Sequence, residues 1–82
     1  MESLTYHVRA DWDGEAGVWV ATSDDVPGLA TEAATIEELT DRLRTMIPEL
    51  LEANDLLVSA SRHTSIAFEL TTHRQELVTL AS

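Results

Sequence analysis

The sequence contains no cysteine, and all five of its cationic side chains are arginines, so lysine is absent as well. Without cysteine the chain has no disulfide and no thiolate-bound metal, and nothing indicates an oxidising compartment. It also lacks an apolar run of roughly 18–20 residues, the length that a membrane-spanning helix needs. The start of the chain has neither the basic segment nor the apolar run of a secretory signal. We therefore expect a cytoplasmic protein that does not bind membranes.

Positive charge is scarce: five arginines face fifteen acidic residues, which gives a formal net charge of −10. This is the wrong sign for contact with a phosphate backbone, so we do not expect direct binding to nucleic acid. Such a charge favours a basic partner, because complementary fields speed association and exclude wrong partners. It also keeps a protein soluble, and the sequence supports both interpretations.

The 82 residues are enough for one hydrophobic core but too few for two. We predict a single domain over residues 1–82, with a core of 4–72 and a tail of 73–82. A chain of this length buries only roughly 60–70% of the surface that its unfolded form exposes. Because burial of one more face would add stability, we expect a homodimer or a larger homo-oligomer.

The first third of the chain has the pattern of antiparallel strands. Apolar residues occupy every second position from Leu4 to Trp12, which indicates a half-buried strand. Asp13 to Gly17 is a turn signal with two glycines, and Val18 to Ser23 is predicted as a second strand that pairs antiparallel with the first. A second turn signal, Asp24 to Gly28, precedes Leu29 to Glu32, a short extended segment that is predicted as a third strand.

A helix is predicted from Thr35, because Thr35 to Glu38 has the form of a capping box. Apolar residues then recur at three- and four-residue spacing as far as Leu51, which predicts one apolar face lying on the sheet. Pro48 lies inside this pattern and predicts either a kink or the start of a second short helix. The apolar pattern continues through the proline, which favours the kink.

Alternation from Ile66 to Thr71 predicts a last strand. The element order is therefore β-β-β-α-β, an α+β domain with a three-stranded antiparallel sheet followed by a helix and a final strand. The tail contains Leu77, Val78 and Leu80. It either extends the last strand or docks on a neighbouring subunit, and the sequence leaves both open.

Three histidines are candidate catalytic bases, but none has a recognisable arrangement with a nucleophile. They are His7, His63 and His73. The glycines form neither a dinucleotide-binding motif nor a phosphate-binding loop. We predict no catalytic residue, no cofactor and no metal ion, and therefore a protein that is not an enzyme.

Aspartates near two strand ends leave an alternative open. Asp11, Asp13, Asp24 and Asp25 could hold two magnesium ions for nuclease chemistry. Turns are also rich in aspartate for conformational reasons, and no further acidic residue has a spacing that completes a metal cluster. The turn interpretation is the more favoured of the two.

Trp12 and Trp19 are the largest apolar side chains of the sequence. By alternation they need not share a face of the sheet, so an outer-face position of Trp19 is left open if Trp12 is in the core. A tryptophan on an outer face is typical of an interface. Packing of the ring under a loop is the competing interpretation.

Three segments of the chain resemble proteins of the HicB antitoxin-like superfamily. They are Tyr6 to Asp13, Val18 to Ala33 with its Pro27-Gly28-Leu29 sequence, and Thr35 to Leu39. The helix segment Ile47-Pro48-Glu49-Leu50-Leu51 is similar to that of a small uncharacterised bacterial family allied to HicB. The resemblance covers most of residues 4–72 and implies a truncated ribonuclease-H-like fold.

HicB antitoxins bind and mask HicA, a small basic toxin that cleaves RNA, and many carry a further DNA-binding segment. Here only about ten residues follow the last strand, too few for a helix-turn-helix. The resemblance therefore implies masking of a basic partner, whereas this departure does not favour repression of an operon. Nuclease activity does not carry over, because a complete ribonuclease H needs its metal-binding acids on a longer chain.

Our leading functional hypothesis is a non-catalytic, antitoxin-like protein-binding module that masks a small basic partner of the HicA type. The alternative is a stand-alone homo-oligomeric scaffold or regulator, and the metal-dependent nuclease comes third. The predicted partner-binding residues are Trp19, Asp24, Asp25 and Glu32.

Overall fold

A computed structural model describes residues 4–55 and 66–81 of the chain. The elements are β1 (Leu4–Asp13), β2 (Val18–Thr22), β3 (Ala30–Ala33), α1 (Ile36–Ala53) and β4 (Ile66–His73). The predicted α+β class and element order are confirmed. His63 lies outside the described residues.

The four strands form one mixed sheet in the order β3-β2-β1-β4. β2 pairs antiparallel with both β1 and β3, whereas β4 pairs parallel with β1, from Leu4 beside Ile66 to Asp11 beside His73. β1, β2 and β3 are antiparallel as predicted, but β4 joins the same sheet, so the prediction of a three-stranded antiparallel sheet is corrected to a four-stranded mixed sheet. Because α1 runs back across the sheet, the chain enters β4 at the end where β1 begins, and β4 takes the same direction as β1.

The connection between β1 and β2 is closed by Asp13. Its carbonyl accepts a 2.8 Å hydrogen bond from the N–H of Gly17, and its carboxylate accepts bonds from the N–H groups of Glu15 and Ala16. Gly17 has a φ of 70°, in the left-handed region that glycine adopts without cost. The predicted turn is confirmed.

The connection between β2 and β3 carries two core residues. Val26 and Leu29 are buried, and the N–H of Leu29 donates to the carbonyl of Val26 at 3.2 Å. Pro27 and Gly28 lie between them, with a φ of 79° at Gly28, which is the pattern of a type II turn. The Pro-Gly-Leu segment thus has a packing function of its own.

α1 begins where the capping signal predicts: the Thr35 hydroxyl oxygen accepts a 3.1 Å hydrogen bond from the N–H of Glu38. The helix continues without interruption through Pro48, so no second helix begins there. Its last residue is Ala53, and the C-cap residue Asn54 donates from its side-chain amide to the carbonyl of Leu50 at 2.8 Å. No helix in the described ranges is long and apolar enough to cross a bilayer.

One face of the sheet packs against α1. The sheet contributes small side chains to this core, and α1 contributes a row of leucine and isoleucine. These buried residues are Val8, Ala10, Ala21 and Ala33 from the sheet and Leu39, Leu43, Ile47 and Leu51 from α1.

α1 lies closest to β2 and β3, so the opposite margin of the same face is less well covered. Four large side chains there pack against the core but remain partly exposed: Tyr6, Ile66, Phe68 and Leu70. We call these four residues the apolar margin. It runs along β4, whose described pairing is with β1 alone, so its other edge is open in the described part of the chain.

Candidate functional site

The face of the sheet opposite α1, here called the outer face, is not covered by any described element. Strand alternation and the observed register assign its residues. They are Thr5, His7, Arg9, Asp11 and Asp13 from β1, Val18, Val20 and Thr22 from β2, Ala30 and Glu32 from β3, and Ala67, Glu69, Thr71 and His73 from β4.

Carboxylates dominate the charge of the outer face. Arg9 is its arginine, and the Arg9 Nε lies 3.1 Å from both carboxylate oxygens of Asp11, so its charge is locally balanced. The remaining acidic side chains on the face and beside the end of β2 are Asp13, Asp24, Asp25, Glu32 and Glu69. The net charge of these side chains is therefore negative.

Hydrogen bonds between His7 on β1 and Asp25 hold the β2–β3 connection against the sheet. One Asp25 carboxylate oxygen accepts the backbone N–H of His7 at 2.8 Å and lies 3.0 Å from the His7 Nδ1. The other ring nitrogen of His7 is 3.9 Å from a carboxylate oxygen of Glu69 on β4. The backbone N–H of His7 and then its ring lower the pKa of the Asp25 carboxyl, against a smaller opposing effect of desolvation. Asp25 therefore stays ionised at neutral pH.

Ser23 holds the same connection from the other side. Its hydroxyl donates to the backbone carbonyl of His7 and accepts from the N–H groups of Asp25 and Val26 at 3.0 and 3.2 Å. Sequence reasoning did not single out Ser23, although serine just before a turn is a known signal for such bonding. Together with neighbouring side chains these residues line an open cleft. Its other lining residues are Val8, Arg9, Thr22, Asp24, Thr71 and His73.

The cleft does not pair a nucleophile with a base. The Ser23 hydroxyl donates to a backbone carbonyl, and the His7 ring contacts carboxylates rather than that hydroxyl. This differs from the geometry of an activated serine, in which the imidazole contacts the hydroxyl directly. The arrangement is instead one that fixes a loop and its charges on the sheet.

The four aspartates of the nuclease hypothesis do not come together. Asp25 is bonded to His7, whereas Asp11 lies four residues further along β1, roughly 13 Å away. Asp13 caps the hairpin turn at the far end of the same strand. Among residues 4–55 and 66–81, no group of three or more His, Asp or Glu side chains is placed to hold a metal ion.

Trp19 is the one predicted partner-binding residue that the structure places elsewhere. It lies directly opposite Trp12 in the β1–β2 pairing, with ring centroids 5.2 Å apart and planes at 58°. Both rings are on the α1 side of the sheet, since Ala10 and Ala21 form the next pair on that side and are buried. The outer-face alternative for Trp19 is therefore wrong. The turn length set a register in which positions 12 and 19 share a face.

The three acidic residues of that prediction do share one side of the molecule. Glu32 lies opposite Val20 on the outer face, and Asp24 and Asp25 line the cleft at the end of β2. All three are exposed. Glu32 is carried on a paired strand, and Asp24 and Asp25 are carried on the connection that Ser23 and His7 fix.

Over residues 4–55 and 66–81 these features define a class: a small α+β domain with one helix on one face of a mixed sheet and an open, acidic opposite face. The model of the family described as "Domain of unknown function (DUF1902)" matches residues 5–81, and the chain belongs to this family. It is similar to a solved structure, the crystal structure of hypothetical protein TTHA1013 from the extremely thermophilic bacterium Thermus thermophilus. The two share 51% identity over 93% of this chain and 99% of that chain, with a TM-score of 0.67. No curated protein matches the sequence.

Proposed function

We propose that this chain is a non-catalytic protein-binding module whose outer face docks a small basic protein. One observation carries the proposal: the outer face is open among the described residues and is acidic, with its arginine already paired to Asp11. A basic protein would supply the missing positive charge. Association would be fast and salt-sensitive, because complementary fields steer the encounter.

Rigidity of the acidic groups supports binding rather than simple solubility. Glu32 and Glu69 stand on hydrogen-bonded strands, and Asp25 is fixed by His7. A carboxylate that is already hydrogen-bonded, as that of Asp25 is, loses less conformational freedom when a partner binds, which favours affinity and register. The strands also present Val18 and Val20 between the carboxylates, a mixed surface of the kind that protein interfaces use.

The finer proposal is an antitoxin-like function. The chain resembles HicB proteins over the hairpin, the Pro27-Gly28-Leu29 segment and the start of α1. That resemblance favours a truncated ribonuclease-H-like fold and a partner similar to HicA, a small basic protein that cleaves RNA. Masking such a protein requires an acidic surface broad enough to cover its basic one, which is what the outer face offers.

The experiment compares capture of partners by matched charge variants. Asp24→Asn with Glu32→Gln removes two exposed outer-face charges and leaves the Asp25–His7 contact intact. Glu37→Gln with Glu49→Gln removes two exposed charges from α1 and serves as the control. Each purified protein is used to capture proteins from native extract, and the Kd of a captured basic protein is then measured by calorimetry at low and high salt.

We expect wild type and the α1 control to bind the same basic protein, with the outer-face variant at least tenfold weaker and all binding reduced by salt. Equal weakening by both variants would show that net charge, not the outer face, governs binding. A basic partner unaffected by either variant would disprove docking on this face.

A second candidate function, a stand-alone homo-oligomeric scaffold, is favoured by apolar side chains that the fold leaves uncovered. Leu77, Val78 and Leu80 are exposed large hydrophobic residues near the end of the chain. Recovery of a stable oligomer with no basic partner in the capture experiment would support this alternative. Metal-dependent nuclease activity is less well supported, because Asp11, Asp13 and Asp25 are each engaged with a different partner.

A further inference from the structure

The segment that follows β4, residues 74–81, extends from the sheet and is called here the C-terminal segment. Its hydrophobic side chains are almost completely exposed: 94% for Leu77, 80% for Val78 and 87% for Leu80. The molecule is 64 Å long, about twice the roughly 33 Å of its longest strand. Large apolar side chains grouped on one projecting segment are typical of an interaction site.

The C-terminal segment continues the alternation of β4. The guanidinium of Arg74 lies 4.2 Å from the ring centroid of Trp12, on the α1 side of the sheet. Glu76 accepts hydrogen bonds from the same guanidinium at 2.9 and 3.1 Å, so it lies on that side too. Continued in extended form, the segment places Val78 and Leu80 on the α1 side and Leu77 on the other.

The apolar margin offers a matching surface. Ile66, Phe68 and Leu70 stand on the α1 side of β4 and are only partly covered by their own helix. The outer edge of β4 has unpaired backbone groups in the described part of the chain, and such an edge is a template for a further strand. A strand added there with apolar side chains on the α1 side would cover the margin.

The described residues 74–81 are long enough to lie beside β4. β4 has eight residues, and the C-terminal segment of residues 74–81 spans the same number of positions, about 26 Å in extended form. A straight continuation of β4 cannot fold back beside its own strand. A second copy, related by a twofold axis near the end of β4, brings each C-terminal segment antiparallel to the other copy's β4.

From these relations we infer that two copies of this chain exchange C-terminal segments. Each segment adds as an antiparallel strand to the open edge of the other copy's β4. Val78 and Leu80 cover that copy's apolar margin, and the two sheets join into one. The interface lies at the β4 edge and leaves both outer faces free, so it does not depend on binding of a basic partner there.

The first test measures the association of the full chain by sedimentation equilibrium. Val78→Gln with Leu80→Gln removes the side chains assigned to the α1 side, and Leu77→Gln with Thr79→Gln makes the same change on the opposite side. All four positions are exposed, so the monomer fold should survive in both variants. We expect wild type to form a dimer, the first variant to raise its Kd at least tenfold, and the second to change it by less than threefold.

The second test uses the absence of cysteine in the natural chain. A chain carrying Val78→Cys is mixed with a chain carrying Phe68→Cys or Leu70→Cys, and disulfides are allowed to form. We expect a cross-link between different chains in at least one mixture, because antiparallel pairing brings these positions within the Cα separation that a disulfide needs. A mixture of Val78→Cys with Val20→Cys, on the outer face two strands away, serves as control.

A monomer at all concentrations, equal effects of the two glutamine variants, or cross-linking that is no stronger than in the Val20→Cys control would each overturn the exchange. These outcomes are separate from those of the partner experiment. Loss of the dimer by Val78→Gln with Leu80→Gln should leave binding of a basic protein at the outer face intact.

Discussion

Asp25 accepts two hydrogen bonds from His7 across a separation of eighteen residues, one from the backbone N–H at 2.8 Å and one from the ring Nδ1 at 3.0 Å. The first would form with any non-proline residue at position 7, whereas the second requires the imidazole. The pair joins the β2–β3 connection to the middle of the sheet. The contact therefore fixes the connection that carries Asp24 and Asp25 relative to the strands.

Asp25 should titrate at unusually low pH. Its pKa lies below the ordinary 3.8, mainly because the backbone N–H of His7 stabilises the carboxylate and secondly because of the ring. Carboxyl carbon shifts followed by NMR between pH 7 and 2 should report this directly. His7→Ala keeps the backbone N–H, so it should raise the pKa only part of the way. A full return to the ordinary value would show that the ring dominates.

The lowered pKa of Asp25 also predicts how the stability of the fold depends on pH. A carboxyl with a lowered folded-state pKa stabilises the fold above its unfolded pKa, and the contribution disappears as the pH falls through the folded value. Asp25→Asn should therefore lower the urea midpoint at pH 7. The difference from wild type should shrink as the pH falls below 3.8. A difference that is constant from pH 7 to 2 would contradict a titrating contact.

Local signals in the sequence predicted most of the elements correctly. Thr35 and Glu38 lie within one turn of each other, and their cap is present as expected. The turns at Asp13–Gly17 and Val26–Leu29 also depend on neighbouring residues alone. Each of these features is decided by a few adjacent side chains and backbone angles, which is why sequence patterns predict them.

Relations between distant segments were harder to predict. Alternation identified β4 but could not show that it pairs with β1 or in which direction. The shared face of Trp12 and Trp19 depends on the register across the hairpin, and a shift of one residue reverses it. The contact of Ser23 with the His7 carbonyl likewise appears only when two strands are side by side. The sequence could indicate the acidic residues of the candidate site, but it could not indicate that His7 and Ser23 hold the β2–β3 connection on the sheet.

Gly28 should tolerate substitution poorly and Gly14 well. Gly28 has a φ of 79° in the turn that carries Val26 and Leu29 into the core. An alanine there must adopt a left-handed conformation, which costs roughly 1–2 kcal/mol.

Gly14 is the control: it has no positive φ, and an added Cβ would lie 3.6 Å from the Trp12 indole nitrogen, an ordinary contact. Urea unfolding should therefore show a clear loss for Gly28→Ala and a change below about 0.5 kcal/mol for Gly14→Ala. Equal losses would show that the turn is not the reason.

Arg74 should report on the tryptophan pair. Its guanidinium lies 4.2 Å from the Trp12 ring centroid and 5.8 Å from that of Trp19, and the two rings contact each other. Arg74→Gln removes the cation from the ring faces and should shift the tryptophan emission, with a stability loss of about 0.5–1 kcal/mol. Arg44→Gln, which breaks an exposed ion pair with Asp41 on α1, is the matched control and should leave the emission unchanged.

Because Arg74 begins the C-terminal segment, the Arg74→Gln variant also separates two effects on dimerisation. If Arg74 only stacks on the rings, dimerisation should persist; if it also sets the direction in which the segment leaves the sheet, the dimer Kd should rise together with the emission change.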